Sequence, residues 1–393
     1  MRFILSILIT LITLSAVSRP DNKAVKQLKA DIISAKANIK AKKDLEKTEQ
    51  MVRKHLADSA YHDDTSLHML LCDVLKQAYE VGNEKMYLKQ NVDTTCLMKT
   101  CQRMFVAYDT LDSLATNKKD KNAQHYVRKM AMYLNPIQQN LYKGGLYFMR
   151  KGDNLEAYRC FDVYSVNEKD KKRNDRMADV MAVSMAVRLD SLPLVLKHAE
   201  RAMNDSVYGE HALAMACTMC RNHYDGENYL RLLNEGYQTF PNSTFFYPRL
   251  IDHYIMVGKT AVADSLADDA LRRDSLNPVF LYGKQDVLVQ MGEYSKSLEY
   301  GEKAIALNPN LATPYYNIGY VYYQRAEKAI KKSRKPYRQR LHNAQEQYRL
   351  CLPYMEKYRA MRPDDIGRWR PILYDAYLNL NMGKEFVELK NNQ

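Results

Sequence analysis

The stretch 278–309, PVFLYGKQDVLVQMGEYSKSLEYGEKAIALNP, decides the fold of this chain. Two short helical patterns meet at a turn centred on Gly292, and a proline closes the second pattern. Gly258 precedes Gly292 by 34 residues (292 − 258 = 34), and Ala270 precedes Ala304 by the same interval. A helix–turn–helix unit that recurs at about 34 residues predicts an all-α solenoid, in which stacked antiparallel helix pairs pack on their neighbours.

The same pattern recurs earlier in the chain, in YKGGLYFMRKGDNLEAYRCF at residues 142–161. Gly145 stands where two helices approach closely, Phe148 fills the large position three residues on, and Gly152 makes the turn. Gly152 precedes Gly258 by 106 residues (258 − 152 = 106), which is three periods of 34 plus a loop insertion of four. The repeat is therefore predicted to extend well beyond its clearest copy.

Residues 138–362 resemble the tetratricopeptide repeat (TPR) family. The resemblance implies a right-handed superhelix whose concave groove, lined by the first helix of each pair, binds a peptide or protein partner. The layout is also similar to exported bacterial cell-envelope TPR proteins, which carry an ALPYLEKA-like helix after a basic insertion, here CLPYMEK at 351–357. TPR domains that grip a C-terminal carboxylate use Lys and Asn in the first helix. Tyr142 and Leu146 stand at those positions, so that clamp is not predicted.

The first eighteen residues, MRFILSILITLITLSAVS, have the pattern of a cleavable signal peptide. Arg2 supplies the positive end, an apolar run follows, and Ala16 and Ser18 predict cleavage after Ser18. The run is too short for a comfortable membrane span, and no second one follows, so an exported protein of the periplasm or cell envelope without a transmembrane span is expected. The predicted organisation is a signal peptide (1–18), a helical region with degenerate TPR-like pairs (19–122), and the main repeat stack (123–393).

The internal boundaries are predicted from turn signals. In the N-terminal region, Val81-Gly82-Asn83 predicts a break between two helices, at 66–81 and 83–89. In the C-terminal region, a capping helix pair is predicted at 369–380 and 384–389. Terminal units are atypical because one of their faces meets water.

Positions on the concave side follow from the family register in the two best first helices. That register selects Tyr282, Asp286, Gln290, Tyr316, Tyr320, Tyr323 and Gln324. Tyrosine suits peptide recognition because it offers an apolar ring and a hydroxyl at small entropic cost. The alternative is packing between repeats, since 30 of the 393 residues are tyrosine.

The formal net charge is +13, with a pI near 9.1, and the excess is clustered. One cluster covers 23–43; the other is an insertion at about 327–345 that replaces the expected turn and precedes a second helix at 348–360. The basic residues of this insertion are Lys328, Lys331, Lys332, Arg334, Lys335, Arg338 and Arg340. It predicts contact with an anionic surface, such as lipid head groups, polysaccharide or an acidic partner, with a solvated extension as the alternative. Nucleic acid is not expected as a partner after export.

No motif for catalysis, cofactor binding or metal binding stands out. Cys217 and Cys220 form a CxxC followed by His223, but this segment lies inside a helical pattern and lacks a fourth zinc ligand. The GKT at 258–260 is not a phosphate loop, because His253 stands where the opening glycine would be. Packing of the cysteines between helices is therefore expected.

These features predict an exported TPR scaffold that binds a protein or peptide and performs no catalysis. One alternative is a periplasmic chaperone or assembly factor for an envelope complex, with the same kind of groove. A second alternative is an envelope enzyme whose site lies in the irregular segment 22–122. Helical periodicity there would argue against the enzyme, and a compact non-repeat domain with a polar pocket would favour it.

Overall fold

A computed structural model describes residues 22–167, 176–331 and 336–391 of the chain. The predicted signal peptide lies outside these ranges. Within them the secondary structure is helical, with a short 3-10 helix at Asn135–Ile137. The α-helices are α1 (Asn22–Ala41), α2 (Leu45–Leu56), α3 (Thr65–Tyr87), α4 (Thr94–Asn117), α5 (Lys121–Leu134), α6 (Gln139–Arg150), α7 (Asn154–Asn167), α8 (Met177–Arg188), α9 (Leu192–Ala202), α10 (Gly209–Asn222), α11 (Gly226–Thr239), α12 (Phe246–Met256), α13 (Thr260–Arg273), α14 (Pro278–Met291), α15 (Tyr294–Leu307), α16 (Ala312–Lys331), α17 (Tyr337–Met361), α18 (Ile366–Asn379) and α19 (Gly383–Asn391).

The stretch 278–309 folds as predicted, into the pair α14 and α15. The Asn277 side chain caps α14 by accepting a hydrogen bond from the Val279 backbone N–H at 2.9 Å, and Pro278 occupies the first turn, where its missing N–H costs nothing. Gly292 ends the helix at φ +75°, a left-handed conformation that favours glycine. Local capping and turn chemistry therefore set the limits of this helix.

The chain divides into two compact units, residues 1–219 and residues 220–393. In the first unit, α3 packs on α4, α6 on α7, and α8 on α9. In the second unit, consecutive helices from α11 to α19 pack on one another, and α14 also contacts both α12 and α16. The predicted all-α stack of helix pairs is thus confirmed, while the boundary at residue 122 lies inside the first unit and stays a prediction.

The predicted helix break at Val81-Gly82-Asn83 is wrong, because α3 runs through it without interruption. A Cβ added to Gly82 would lie 2.8 Å from Leu97 Cδ1 on α4. The glycine allows a close approach of α3 and α4 in the middle of a helix and does not make a turn. The sequence pattern does not distinguish these two uses of glycine.

The basic insertion also differs from its prediction. It lengthens both helices of one pair, so that α16 has 20 residues and α17 has 25, and α17 begins at Tyr337, well before the predicted start at 348. Ala326, Ala344 and Tyr348 are buried where the extended helices meet. The described part of the insertion is therefore helical. The predicted C-terminal pair is present as α18 and α19.

Candidate functional site

A cleft of about 430 Å³ lies within the second unit, along α12, α14, α16 and the start of α18. These are alternate helices of the stack, and each contacts the next one in the row. The cleft is lined by Pro248, Asp252, Ile255, Met256, Tyr282, Asp286, Val289, Gln290, Thr313, Tyr316, Asn317, Tyr320 and Arg368. The first helix of each pair therefore supplies the lining.

The repeat period explains why these side chains share one surface. Asp252 on α12 and Asp286 on α14 stand 34 residues apart (286 − 252 = 34). Tyr282 on α14 and Tyr316 on α16 have the same separation (316 − 282 = 34). Residues separated by one period occupy equivalent positions in successive units, so their side chains line the same face of the stack.

Aromatic rings form one wall of the cleft. The rings of Tyr316 and Tyr320 stack with their centroids 5.9 Å apart and an interplanar angle of 21°. Tyr316 also contacts Tyr358 of α17, at 5.1 Å between centroids. The Arg368 guanidinium lies 5.2 Å from the centre of the Tyr316 ring, within cation–π distance. The wall is thus held in place by neighbouring helices and presents a flat apolar surface.

Two carboxylates face this wall. Asp286 is half-buried, and the side-chain amide of Asn317 donates a hydrogen bond to its Oδ1. Burial raises the pKa of Asp286 to about 7, and the charge of Asp252 adds to the rise, while the Asn317 hydrogen bond and Arg368 oppose it. Asp286 is therefore a carboxylate that its surroundings do not fully compensate.

Asp252 lines the same cleft and is exposed to solvent, with protein covering only part of its surface. This partial desolvation raises the pKa of its carboxyl, and the charges of Arg368 and Arg249 oppose the rise. Arg249 itself donates a hydrogen bond to the Phe245 carbonyl oxygen at 2.8 Å. Both cleft carboxylates thus have raised pKa values despite the nearby arginines.

Two of the seven predicted concave residues lie elsewhere. The Tyr323 hydroxyl donates a hydrogen bond to Asp375 Oδ2 at 2.8 Å, and its ring packs near Tyr348. Gln324 lines a separate shallow depression together with Lys328. The other five, Tyr282, Asp286, Gln290, Tyr316 and Tyr320, are brought together in the cleft, and their role in binding stays a prediction.

Four polar residues of the cleft were missed by sequence reasoning: Asp252, Thr313, Asn317 and Arg368. Asp252 could have been found, because it stands one period before Asp286. Asn317 and Arg368 are harder to find: Asn317 depends on the rotation of α16, and Arg368 follows the basic insertion, which breaks the 34-residue register.

The described part of the basic insertion is solvent-facing. Lys328 and Arg338 are exposed, and Lys331 forms an ion pair with Glu327 one turn before it. Arg340 differs, because its Nη1 donates to the Ile330 carbonyl oxygen at 2.8 Å. Lys332, Arg334 and Lys335 lie outside the described residues. Contact with an anionic surface stays a prediction.

The N-terminal segment contains a cavity of about 510 Å³ between α2, α3 and α4, lined by both charged and apolar side chains. Glu49 lies at its side and pairs with Arg53 Nε at 2.8 Å and with Arg103 Nε at 3.1 Å. The Arg53 pair lies within α2, whereas the Arg103 pair connects α2 to α4, so these three charged residues of the lining make structural contacts. Helices occupy most of residues 22–117, which argues against a non-repeat enzyme domain there.

The CxxC lies on α10, and both of its cysteines are buried. Burial raises the pKa of the Cys220 thiol to about 11, and the charge of Asp225 adds to the rise. A redox CxxC requires a lowered thiol pKa, so this environment favours the packing interpretation. In the part of the chain that the structure covers, no helix is long and apolar enough to span a bilayer.

Comparison with known proteins identifies the repeat. The family described as TPR repeat matches residues 286–325, from the middle of α14 into α16. No curated protein matches the chain.

Several solved structures are similar at low identity. The C-terminal part of a TPR repeat-containing protein from Cytophaga hutchinsonii is 12% identical, with 64% of this chain and 96% of that chain covered and a TM-score of 0.41. Yeast Tom70 is 15% identical (77% and 63% covered, TM-score 0.33). The human IFIT1 dimer with m7Gppp-AAAA is also 15% identical (89% and 72% covered, TM-score 0.35). Because these scores lie below 0.5, no ligand is assigned to the present chain from them.

The helix pairs, the 34-residue period and the match over residues 286–325 agree with one another. The chain therefore carries a tetratricopeptide repeat at residues 286–325, within an all-α stack of helix pairs.

Proposed function

We propose that this protein is an exported, non-catalytic scaffold that binds a segment of a protein partner in the cleft of its second unit. The supporting observation is that equivalent positions of successive repeats line one cleft, including Tyr282, Tyr316 and Tyr320. Tyrosine rings bury a large area with few rotatable bonds, and their hydroxyls bond polar groups of a peptide backbone. A row of first helices offers the extended surface that helical-repeat proteins use for binding.

A cross-linking experiment tests the cleft directly. A photo-reactive amino acid replaces Gln290, which is exposed at the cleft, and in a control chain it replaces Tyr224, which is 95% exposed and lies outside the cleft. We expect a discrete cross-linked partner only from position 290, and we expect it to be lost when Tyr316→Ala and Tyr320→Ala are added. Equal cross-linking from both positions, or retention in the double variant, would exclude the cleft as the binding site.

Export is supported by the pattern of residues 1–18. Fractionation of cells that express the full chain, followed by N-terminal sequencing, tests this part of the proposal. We expect the protein in the envelope fraction with Arg19 as its first residue. A cytosolic chain that retains its first residues would show that export is wrong, without bearing on the cleft.

A further inference from the structure

Building on the proposed function, we propose that the cleft recognises a basic side chain, lysine or arginine, of the partner segment. Asp252 and Asp286 would receive the cationic end. The rings of Tyr316 and Tyr320 would cover the aliphatic stem. The inference specifies the chemistry of the partner at the site already described.

The charges that line the cleft favour a cation. They are Asp252, Asp286 and Arg368. Arg368 already lies over the Tyr316 ring, and its Nε is 3.8 Å from Asp365 Oδ2. This guanidinium is engaged by Asp365 and by the aromatic wall. Arg249, whose charge also acts on Asp252, donates to the Phe245 carbonyl oxygen. Among the described residues, neither arginine forms an ion pair with a cleft carboxylate.

The hydrogen bonds of the two carboxylates lead to the same conclusion. An ionised carboxylate offers about four acceptor positions. In the described residues Asp286 accepts from one donor, the amide of Asn317, and Asp252 has no hydrogen bond to protein. Burial raises the pKa values of both groups, and the nearby donor and arginine charges do not offset it. A lysine or arginine end supplies both the positive charge and the missing donors.

The aromatic wall suits the rest of such a side chain. Lysine and arginine carry three or four methylene groups that bury well against apolar surface while the charged end reaches a polar partner. The stacked rings of Tyr316 and Tyr320 provide that surface on α16, and Asp286 lies nearby on α14. A cation near tyrosine rings gains a further cation–π attraction.

An anionic side chain is the competing occupant, since Arg368 lines the same cleft. Such a ligand would face Asp252 and Asp286 as well, and like charges brought together in a partly desolvated site repel each other strongly. The observed charges therefore favour the basic ligand, and the experiment includes the acidic one as an outcome.

The test is selection of a displayed library of random peptides on the full chain, with counter-selection on the variant carrying Tyr316→Ala and Tyr320→Ala. The selected peptides are then synthesised, and their affinities for the full chain are measured. We expect enrichment of lysine or arginine. Replacing that residue by norleucine, or replacing Asp286 by asparagine, should weaken binding by about tenfold or more, because each removes a charge-assisted contact.

A matched control is Asp269→Asn, which removes an exposed carboxylate from α13 outside the cleft and should leave the affinity unchanged. Asp252→Asn should weaken binding in the same direction as Asp286→Asn. Circular dichroism on each variant confirms that the helices are intact before affinities are compared.

The outcomes separate this inference from the proposed function. Cleft-dependent peptides that are enriched in aspartate, glutamate or a free C-terminus, and are lost in Arg368→Gln, overturn the basic-ligand assignment but leave the scaffold proposal standing. If peptides bind in the cleft but their affinities are unchanged by Asp252→Asn and Asp286→Asn, the basic-ligand assignment is likewise wrong and the scaffold proposal still stands. Failure to select any peptide that depends on Tyr316 and Tyr320 overturns both.

Discussion

Asp179 in the first unit and Asp286 in the second unit are both carboxylates on helices of the repeat, yet their pKa values move in opposite directions. Asp179 Oδ1 lies 2.8 Å from His198 Nδ1 and accepts from Arg201 Nε at 2.9 Å. Burial tends to raise the pKa of Asp179, but the hydrogen bonds and charges of His198 and Arg201 outweigh it and lower that pKa. Among the described residues Asp286 accepts a hydrogen bond only from the Asn317 amide, and burial raises its pKa to about 7.

The opposite pKa shifts of Asp179 and Asp286 separate a carboxylate with a structural role from one that is available to a ligand. In the first unit, His198 is fully buried and bridges Asp162 of α7 and Asp179 of α8, so its ion pairs join three helices. In the second unit, Arg368 and Arg249 lie near the cleft carboxylates, but among the described residues neither Asp252 nor Asp286 forms an ion pair, and both pKa values stay raised. Compensated carboxylates stabilise the fold, whereas the cleft carboxylates are those that we propose bind a ligand.

The largest expected effect is a loss of stability on breaking the buried network. Asp179→Ala leaves the His198 imidazole buried without one of its two carboxylate partners. Removing one partner of a buried ion pair typically costs about 3–5 kcal/mol. We therefore expect the first unit of this variant to unfold at a clearly lower urea concentration than the unchanged chain. Hydrogen exchange of the α8 backbone amides, measured across the urea series, reports this unfolding.

The matched change in the second unit is Asp286→Asn, which keeps the hydrogen-bonding shape and removes the charge. Because that carboxylate is buried and forms no ion pair among the described residues, removing its charge should leave the free energy of unfolding unchanged or slightly higher. A loss as large as that of Asp179→Ala would show that Asp286 is structural and would contradict the comparison.

A second prediction concerns the pH dependence of binding. A cationic ligand favours ionised Asp286, so binding should release a proton when the free cleft carries a carboxyl with a pKa of about 7. The affinity of a selected basic peptide should therefore fall about tenfold between pH 8 and pH 6. Calorimetry in buffers of different ionisation enthalpy measures the released proton directly.

Asp286→Asn should remove most of this pH dependence, while Asp252, whose pKa is also raised, supplies the remainder. Arg368 and Tyr316 also face Asp286, but they keep their protonation state in this pH range. An affinity that rises as the pH falls would indicate an acidic ligand.

How far the sequence predicts these two regions depends on whether the residues follow the repeat. Tyr282, Asp286 and Tyr316 could be placed on one face because the 34-residue period carries each position from one unit to the next. The same period reaches Asp252, which was overlooked. Arg368 could not be placed, since the insertion changes the register before α18.

The His198 network was not predicted. Its members come from three helices at separations that follow no repeat period, and their meeting depends on how those helices rotate and pack. The break predicted at Gly82 was wrong for a related reason, because a glycine used for close packing has the same appearance in the sequence as one used for a turn. The 34-residue period predicts which positions are equivalent in successive repeats. It does not predict side-chain contacts that occur in one repeat alone.

A smaller effect is expected in the pH profile of stability. The pKa of His198 is raised: burial opposes the rise, but the hydrogen bonds and charges of Asp162 and Asp179 outweigh it. His198 contributes fully to the free energy of unfolding below pH 6.5, its ordinary pKa, and this contribution is lost as the pH rises through the raised pKa. The lowered pKa values of Asp162 and Asp179 give a contribution that is present above 3.8 and is lost as the pH falls through them.

The network should therefore stabilise the first unit most between pH 3.8 and 6.5. Lys197 and Arg201 also contact these carboxylates. Melting temperatures measured across the range should decline on the alkaline side, and His198→Gln should flatten that decline. An unchanged alkaline limb in His198→Gln would show that another group titrates there.

The smallest effect on stability is expected for charged side chains that are exposed to solvent and lie outside the cleft. Lys328 and Arg338, in the basic insertion, are exposed to solvent. Replacing both by glutamine should change the free energy of unfolding by no more than about 0.5 kcal/mol, because water solvates them equally in both states. Arg340→Gln provides the contrast, since it removes a hydrogen bond to the Ile330 carbonyl between α16 and α17 and should cost about 1 kcal/mol. Equal losses in the two variants would mean that Lys328 and Arg338 contribute to the fold, and exposure alone would then no longer separate solvated charges from structural ones.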